Sequence, residues 1–205
     1  RAQQAETIAA YCKGRAATDW PMVTTQIPIY NEKDVILRIL HATAAIDYPQ
    51  GRHEIQVLDD SDDDTRSLVD DIATRMRARG VDISVVRRPT REGYKAGALA
   101  HGLTIAKGKY VAIFDADFVP PAEFLRTAVP LIDSHDELAC LQGRWAHLNQ
   151  DESWLTEAQS LGIDGHFAIE QGARAWNGLM MNFNGTAGLW RKAAIDDPKV
   201  GGWSG

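Results

Sequence analysis

The chain has 205 residues, and its 44% hydrophobic and 24% charged content is that of an ordinary globular protein, which excludes collagen-like, disordered and disulfide-framework classes. A chain of this size can bury a core without disulfides or metals to hold it. Its 28 Asp and Glu outnumber 22 Lys and Arg, and the net charge of −6 argues against nonspecific binding to nucleic acid, because no broad basic surface neutralises phosphates.

Residues 1–20, Ala-rich and polar and closed by Trp20-Pro21, read as a lead-in helix or linker ahead of one domain over 21–205. Residues 22–29 are apolar and β-branched and predict a buried strand. Asn31 then caps an amphipathic helix over 32–46, where Val35, Ile36, Ile39 and Leu40 recur at helical spacing. A second strand, 54–58, runs into the acidic cluster Asp59, Asp60, Asp62, Asp63 and Asp64. Leu68, Val69, Ile72 and Met76 mark a helix that stops near Gly80. A third strand, 83–86, precedes an Ala- and Leu-rich helix over 93–106. A fourth, 110–114, ends in Asp115-Ala116-Asp117, and Pro120 and Pro121 open a helix that runs to Ser134. A fifth strand over 138–145, a long helix over 152–175 and a mixed strand and Gly-rich loop over 179–190 complete the pattern.

Strands alternating with helices predict an α/β fold with a largely parallel sheet, in which ligands bind beyond the carboxyl ends of the strands. Asn31-Glu32, Asp59-Asp60 and the Asp115–Asp117 tripeptide all fall at such ends. Cys12 and Cys140 lie far apart and form no CxxC pair, which fits a reducing compartment. No uncharged apolar run is long enough to span a bilayer, so a soluble piece is expected. The chain opens on Arg1 with no visible signal peptide and reads as excised from a longer protein.

Three of these segments carry candidate chemistry. Asp115 and Asp117, two apart at a strand end, can share a hard divalent cation whose other ligands are substrate phosphates and water; a solvated turn is the competing reading. The segment Arg91-Glu92-Gly93-Tyr94-Lys95-Ala96-Gly97-Ala98-Leu99 contains neither GxGxxG nor GxxxxGK[ST]. A glycine and a lysine at a helix start still put unpaired N–H groups and positive charge where a phosphate can bind; an ordinary helix start with a surface lysine is the alternative. Pro28-Ile29-Tyr30-Asn31-Glu32 and Asp59-Asp60 set an aromatic ring beside polar acceptors, which suits a nucleobase, while half-buried packing equally suits Tyr30.

Taken in order, strand–PxYNE, strand–DDSxDxT, RxGxKAGAL and strand–DAD resemble the signature of family 2 glycosyltransferases with the GT-A fold, a Rossmann-like, mostly parallel sheet flanked by helices. The series continues through Gln142-Gly143-Arg144-Trp145, His166-Phe167 with Glu170-Gln171, Phe183-Asn184-Gly185-Thr186-Ala187-Gly188 with Trp190-Arg191, and Gly201-Gly202-Trp203. Over residues 20–205 it is most similar to the cellulose-synthase-like mannan and glucomannan synthases and their bacterial relatives.

The resemblance implies an inverting, metal-dependent enzyme that transfers a hexose from a UDP-sugar or GDP-sugar donor to a growing β-glycan acceptor. It implies that Tyr30, Glu32 and Asp60 hold the base and ribose, and that Arg91 and Lys95 lie near the base and diphosphate. Asp115 matches the acid near the ribose and metal, and Asp117 the direct ligand of the metal, Mg²⁺ or Mn²⁺. Asn184, Gly185 and Thr186 match the wall near the donor sugar and acceptor, and Trp145 and Trp190 match positions that stack on sugar rings or pack in the core. The family's general base is the Asp of a [ST]-x-[ED]-D motif after the GGW segment, and this sequence ends at Gly205 ahead of it. That base, a later QxxRW motif and membrane helices are therefore expected in other parts of a parent enzyme, with this domain on the cytoplasmic face of the plasma or inner membrane. Two rivals stay open. One is a nucleotidyltransferase, which wants a Gly-rich basic loop where PIYNE stands; the other is a donor-binding module inactive as this fragment.

Overall fold

Polar side chains inside the first two strands show how the sheet is assembled. In β1 (Val23–Ile29) every residue is buried, and in β2 (His53–Asp59) all but the first are, as expected when helices cover both faces of a parallel sheet. The strands pair in parallel from Val23↔His53 to Ile29↔Asp59. Their buried polar groups meet across the ladder: Thr24 Oγ1 donates to Glu54 Oε1 at 2.6 Å, and Gln26 Nε2 to Gln56 Oε1 at 3.0 Å. Left unpartnered, such groups would cost about 1–3 kcal/mol each.

The computed structural model describes residues 2–143, 183, 185–199 and 201–203. The further strands are β3 (Ile83–Val86), β4 (Tyr110–Ile113), β5 (Cys140–Gln142) and β6 (Gly188–Arg191). The six lie in the order β3-β2-β1-β4-β6-β5. β1 to β4 run parallel, and β6 is reversed, antiparallel to both β4 and β5. Pro28, with no N–H to give, lies past the last β1–β4 pair, Gln26↔Ile113.

The covering helices are α1 (Ala2–Cys12), α2 (Lys33–Ala44), α3 (Thr65–Arg77), α4 (Tyr94–Leu103), α5 (Phe124–Asp133) and the short α6 (Lys192–Ile195). Side chains of β4 alternate between two cores, as the period of a strand requires. Tyr110, Ala112 and Phe114 join Ile36, Ile39 and Leu40 of α2, Val69 and Ile72 of α3, and Leu125 and Val129 of α5. Val111 and Ile113 join Leu58 with Ala98, Leu99 and Leu103 of α4.

The lead-in segment is a docked helix. No residue of α1 is buried, but Tyr11 donates its hydroxyl to Asp133 Oδ2 at 2.6 Å. Asp133 also accepts from Lys109 Nζ at 2.6 Å and the Tyr110 hydroxyl at 2.5 Å. Burial works to raise the Asp133 carboxyl, but the bonds from Lys109, Tyr11 and Tyr110 outweigh it and hold its pKa down at about 2.

Three expectations change in detail. Asn31 does not cap α2, which begins at Lys33 behind Glu32 with no side-chain cap. It takes φ 57° instead, and its amide pairs reciprocally with Asp62: Nδ2 donates to Oδ1 at 2.7 Å, and the Asp62 N–H donates to Asn31 Oδ1 at 3.0 Å. The helix expected from Pro120 starts at Phe124, and the prolines form the turn ahead of it, with the Phe124 N–H on the Pro121 carbonyl at 3.0 Å. The strand expected over 138–145 is the shorter β5. The helix expected over 152–175, with Trp145 and Asn184, lies outside the described residues. Both cysteines are free, and burial pushes the Cys140 thiol up to about 12, which keeps it protonated at neutral pH. No helix among the described residues is long and apolar enough to cross a membrane.

Candidate active site

Because β1, β2 and β4 are parallel, their carboxyl ends open at one edge of the sheet, and the segments leaving them meet there. A cavity of about 270 Å³ lies at that edge. Tyr30 and Glu32 border it from beyond β1, Asp60 from beyond β2, Arg91 and Lys95 from the start of α4, and Asp115 and Asp117 from beyond β4.

Tyr30, 37% exposed, carries the Arg91 guanidinium on its ring, with Cζ 3.3 Å from the centroid. The Asn31–Asp62 pair fixes the turn that carries Tyr30, and the Asn31 N–H adds a bond to Ser61 Oγ at 3.0 Å. Burial raises the Glu32 carboxyl above its ordinary pKa; the Asp115 and Asp117 charges add to the rise, while a backbone hydrogen bond at Tyr30 and the Lys95 charge oppose it. Lys95 Nζ is ion-paired with Asp115 Oδ1 and donates to the Gly185 carbonyl at 2.8 Å. The Asp115 N–H donates to Thr186 Oγ1 at 2.7 Å. Gly185 and Thr186 thus brace the Lys95–Asp115 pair through their own polar atoms. Trp190 stands apart from this cavity, edge-on between Phe183 and Trp203, with ring centroids 5.1 and 5.3 Å away.

Residues 25–197 match the family model for glycosyl transferase family 2. The chain belongs to this family. This family 2 glycosyltransferase sequence is 43% identical over 188 residues to probable glucomannan 4-β-mannosyltransferase 11 of Oryza sativa subsp. japonica and to glucomannan 4-β-mannosyltransferase 9 of Arabidopsis thaliana, in each case over 90% of this chain. It spans about a third of these relatives' length, 33% and 35%. Its fold is shared with the mannosyltransferase PcManGT from Pyrobaculum calidifontis, solved in complex with GDP-Man and Mn²⁺: the TM-score is 0.71 at 23% identity, over 98% of this chain and 56% of that one. The expected GT-A fold is borne out.

For a glycosyltransferase of this family the acidic side of the cavity bears on metal binding. No cluster of three or more His, Cys, Asp or Glu among the described residues is arranged to hold an ion. Asp115 and Asp117 offer two carboxylates on one cavity, which fits Mg²⁺ or Mn²⁺, since these ions take one or two protein carboxylates and complete their shell with phosphate oxygens and water. Sequence reasoning missed Arg88. Nothing in the run Arg87-Arg88-Pro89-Thr90-Arg91 marks it out, yet it grips Asp60 through Nε at 2.9 Å and Nη2 at 2.6 Å. The available signal was Gly97: a Cβ there would run into Arg88 Nη1 and the Glu92 carbonyl oxygen.

Proposed function

We propose that the chain is the nucleotide-sugar-binding part of an inverting, metal-dependent glycosyltransferase that moves a hexose from a UDP- or GDP-sugar to a growing β-glycan, with GDP-mannose as the favoured donor. The observation that carries this reading is the convergence of Tyr30, Glu32, Asp60, Arg91, Lys95, Asp115 and Asp117 on one strand-end cavity. The names of the plant relatives support mannose as the sugar, and the GDP-Man carried by the Pyrobaculum neighbour is in keeping with it.

In this reading the base stacks on Tyr30, and Asp60 accepts from its ring N–H. The ribose lies toward Glu32 and Asp115. The diphosphate lies at the amino end of α4, where free N–H groups and the Lys95 ammonium offset its charge. Asp117, with Asp115 beside it, holds Mg²⁺ or Mn²⁺, which supplies positive charge against the departing nucleoside diphosphate. Gly185 and Thr186 wall the donor sugar, with Asn184 and Trp145 assigned to the same side by resemblance alone. A carboxylate following the GGW segment, past Gly205, would take the proton of the acceptor hydroxyl, and membrane association would come through other parts of a parent protein.

Calorimetric titration of the chain with GDP-mannose and UDP-glucose, each with and without Mn²⁺, tests the reading. Binding that requires Mn²⁺ and is tighter for GDP-mannose is expected. No binding of either donor would sink it.

A further inference from the structure

Arg88 borders no part of the cavity, yet its guanidinium holds Asp60, which does, and the turn that carries Arg91 and Lys95 to it. The fork to Asp60 is bidentate, and the two side chains are only 9% and 8% exposed. From the same group Nη1 donates to the Glu92 carbonyl at 2.5 Å and Nη2 to the Tyr94 carbonyl at 2.7 Å. Those carbonyls belong to the turn that opens α4. There Gly93 has φ 67° and Tyr94 has φ 45°, a left-handed conformation that a tyrosine rarely holds without outside support. The turn carries Arg91 onto the Tyr30 ring and delivers Lys95 to Asp115. Gly97, one helical turn on, has no side chain, and that leaves the space into which Arg88 and the Glu92 carbonyl fit.

Arg87, its neighbour, gives the contrast. It pairs with Asp59 at 2.8 Å, with both oxygens of Asp70 at 3.0 and 3.1 Å, and with the Arg66 carbonyl at 3.1 Å. These contacts tie the end of β2 to α3, and none of the groups involved borders the cavity.

We infer that Arg88 is a positioning residue that locks the carboxylate at one side of the cleft, Asp60, to the backbone turn at the other, so that a single side chain sets the spacing between the base-binding and diphosphate-binding groups. The inference rests on the donor reading above. An arginine is required: five donors in a planar fork can serve one carboxylate and two carbonyls together, whereas a lysine ammonium is a compact point charge that cannot span them.

The test titrates the chain and its variants, in Mn²⁺, with GDP and with guanosine, or with UDP and uridine if the donor titrations favour uridine. Arg88→Ala is expected to weaken both ligands by about tenfold or more, on the scale seen when the partners that orient metal ligands are removed. Lys95→Ala should weaken only the diphosphate. Arg87→Ala should lower the melting temperature and leave both affinities unchanged, which separates positioning from general destabilisation. Arg88→Lys should lose nearly as much affinity as Arg88→Ala, and it decides the matter if the alanine variant does not fold. Wild-type affinity for both ligands in the Arg88 variants overturns the inference alone, as does a loss confined to the diphosphate. Failure of the unaltered chain to bind either nucleotide removes the donor reading and this inference with it.

Discussion

Arg91 sits over the ring of Tyr30, its guanidinium carbon 3.3 Å from the ring centre, and both side chains border the cavity. A cation on an exposed ring is held by about 0.5–1 kcal/mol. Stacking of a nucleobase on an aromatic side chain yields about 1–3 kcal/mol. A base can therefore displace the cation, or slide between ring and guanidinium.

Tyr30→Ala is accordingly expected to weaken nucleoside binding by about 1–3 kcal/mol. Tyr30→Phe should bind almost as the parent does, because the hydroxyl makes only one long bond, 3.4 Å to Asp62. Titration with guanosine or uridine measures both, and equal affinity in the alanine variant would place the base elsewhere.

Lys95 is 40% exposed and Asp115 34%. A pair so open to solvent contributes under about 1 kcal/mol to stability. Lys95→Ala should hence leave the melting temperature nearly unchanged. It should weaken nucleoside diphosphate binding by about 1–3 kcal/mol, the scale of a charge-assisted hydrogen bond, without affecting the bare nucleoside. Equal loss for both ligands would put Lys95 on the base side.

Asp117→Asn replaces a charged ligand with a neutral one. Nucleoside diphosphate binding should lose its dependence on Mn²⁺ and most of its affinity. Calorimetry with and without the metal reads both effects, and an undiminished response to Mn²⁺ in the variant would remove Asp117 from the metal site.

Stability should fall on acidification because of His53. Its ring bonds Thr25 Oγ1 at 2.8 Å and meets Tyr48 edge-on, and burial pulls its pKa from 6.5 to about 4. Between those values the unfolded chain binds the proton and the folded chain does not, so His53 has no effect on stability above pH 6.5 and costs progressively more as the pH falls toward 4. The full loss is about 3 kcal/mol. Urea unfolding at pH 7 and pH 4.5 should show a larger drop for the parent chain than for His53→Gln; equal drops would assign the acid sensitivity to other groups.

The parallel order of β1 to β4 and the residues of the cavity were legible because they follow from local patterns. A β-branched run such as Val23–Ile29 declares a strand, and in a parallel sheet the residues just past a strand's carboxyl end lie at the ligand edge. Contacts between distant segments were not legible. Asn31 looks like a helix cap until Asp62 stands opposite it. Arg87 and Arg88 are identical in type and adjacent, and only the path of the chain after β3 sends one to Asp59 and the other to Asp60. Nor does the sequence encode reversal: 179–190 reads as mixed strand and Gly-rich loop, and nothing in it says that the strand it contributes to, Gly188–Arg191, runs backwards.

That reversal shapes how the protein can vary. β5 ends at Gln142 and β6 begins at Gly188, level with each other and with Ile113 of β4, and the Gly143 N–H closes the junction on the Ala187 carbonyl at 2.7 Å. Gly143 and Ala187, 44 positions apart in the sequence, thus lie side by side, next to the Thr186–Asp115 bond. Gly143 and Ala187 therefore mark a natural insertion point: the chain can lengthen or shorten between them without changing a single strand pairing of the sheet.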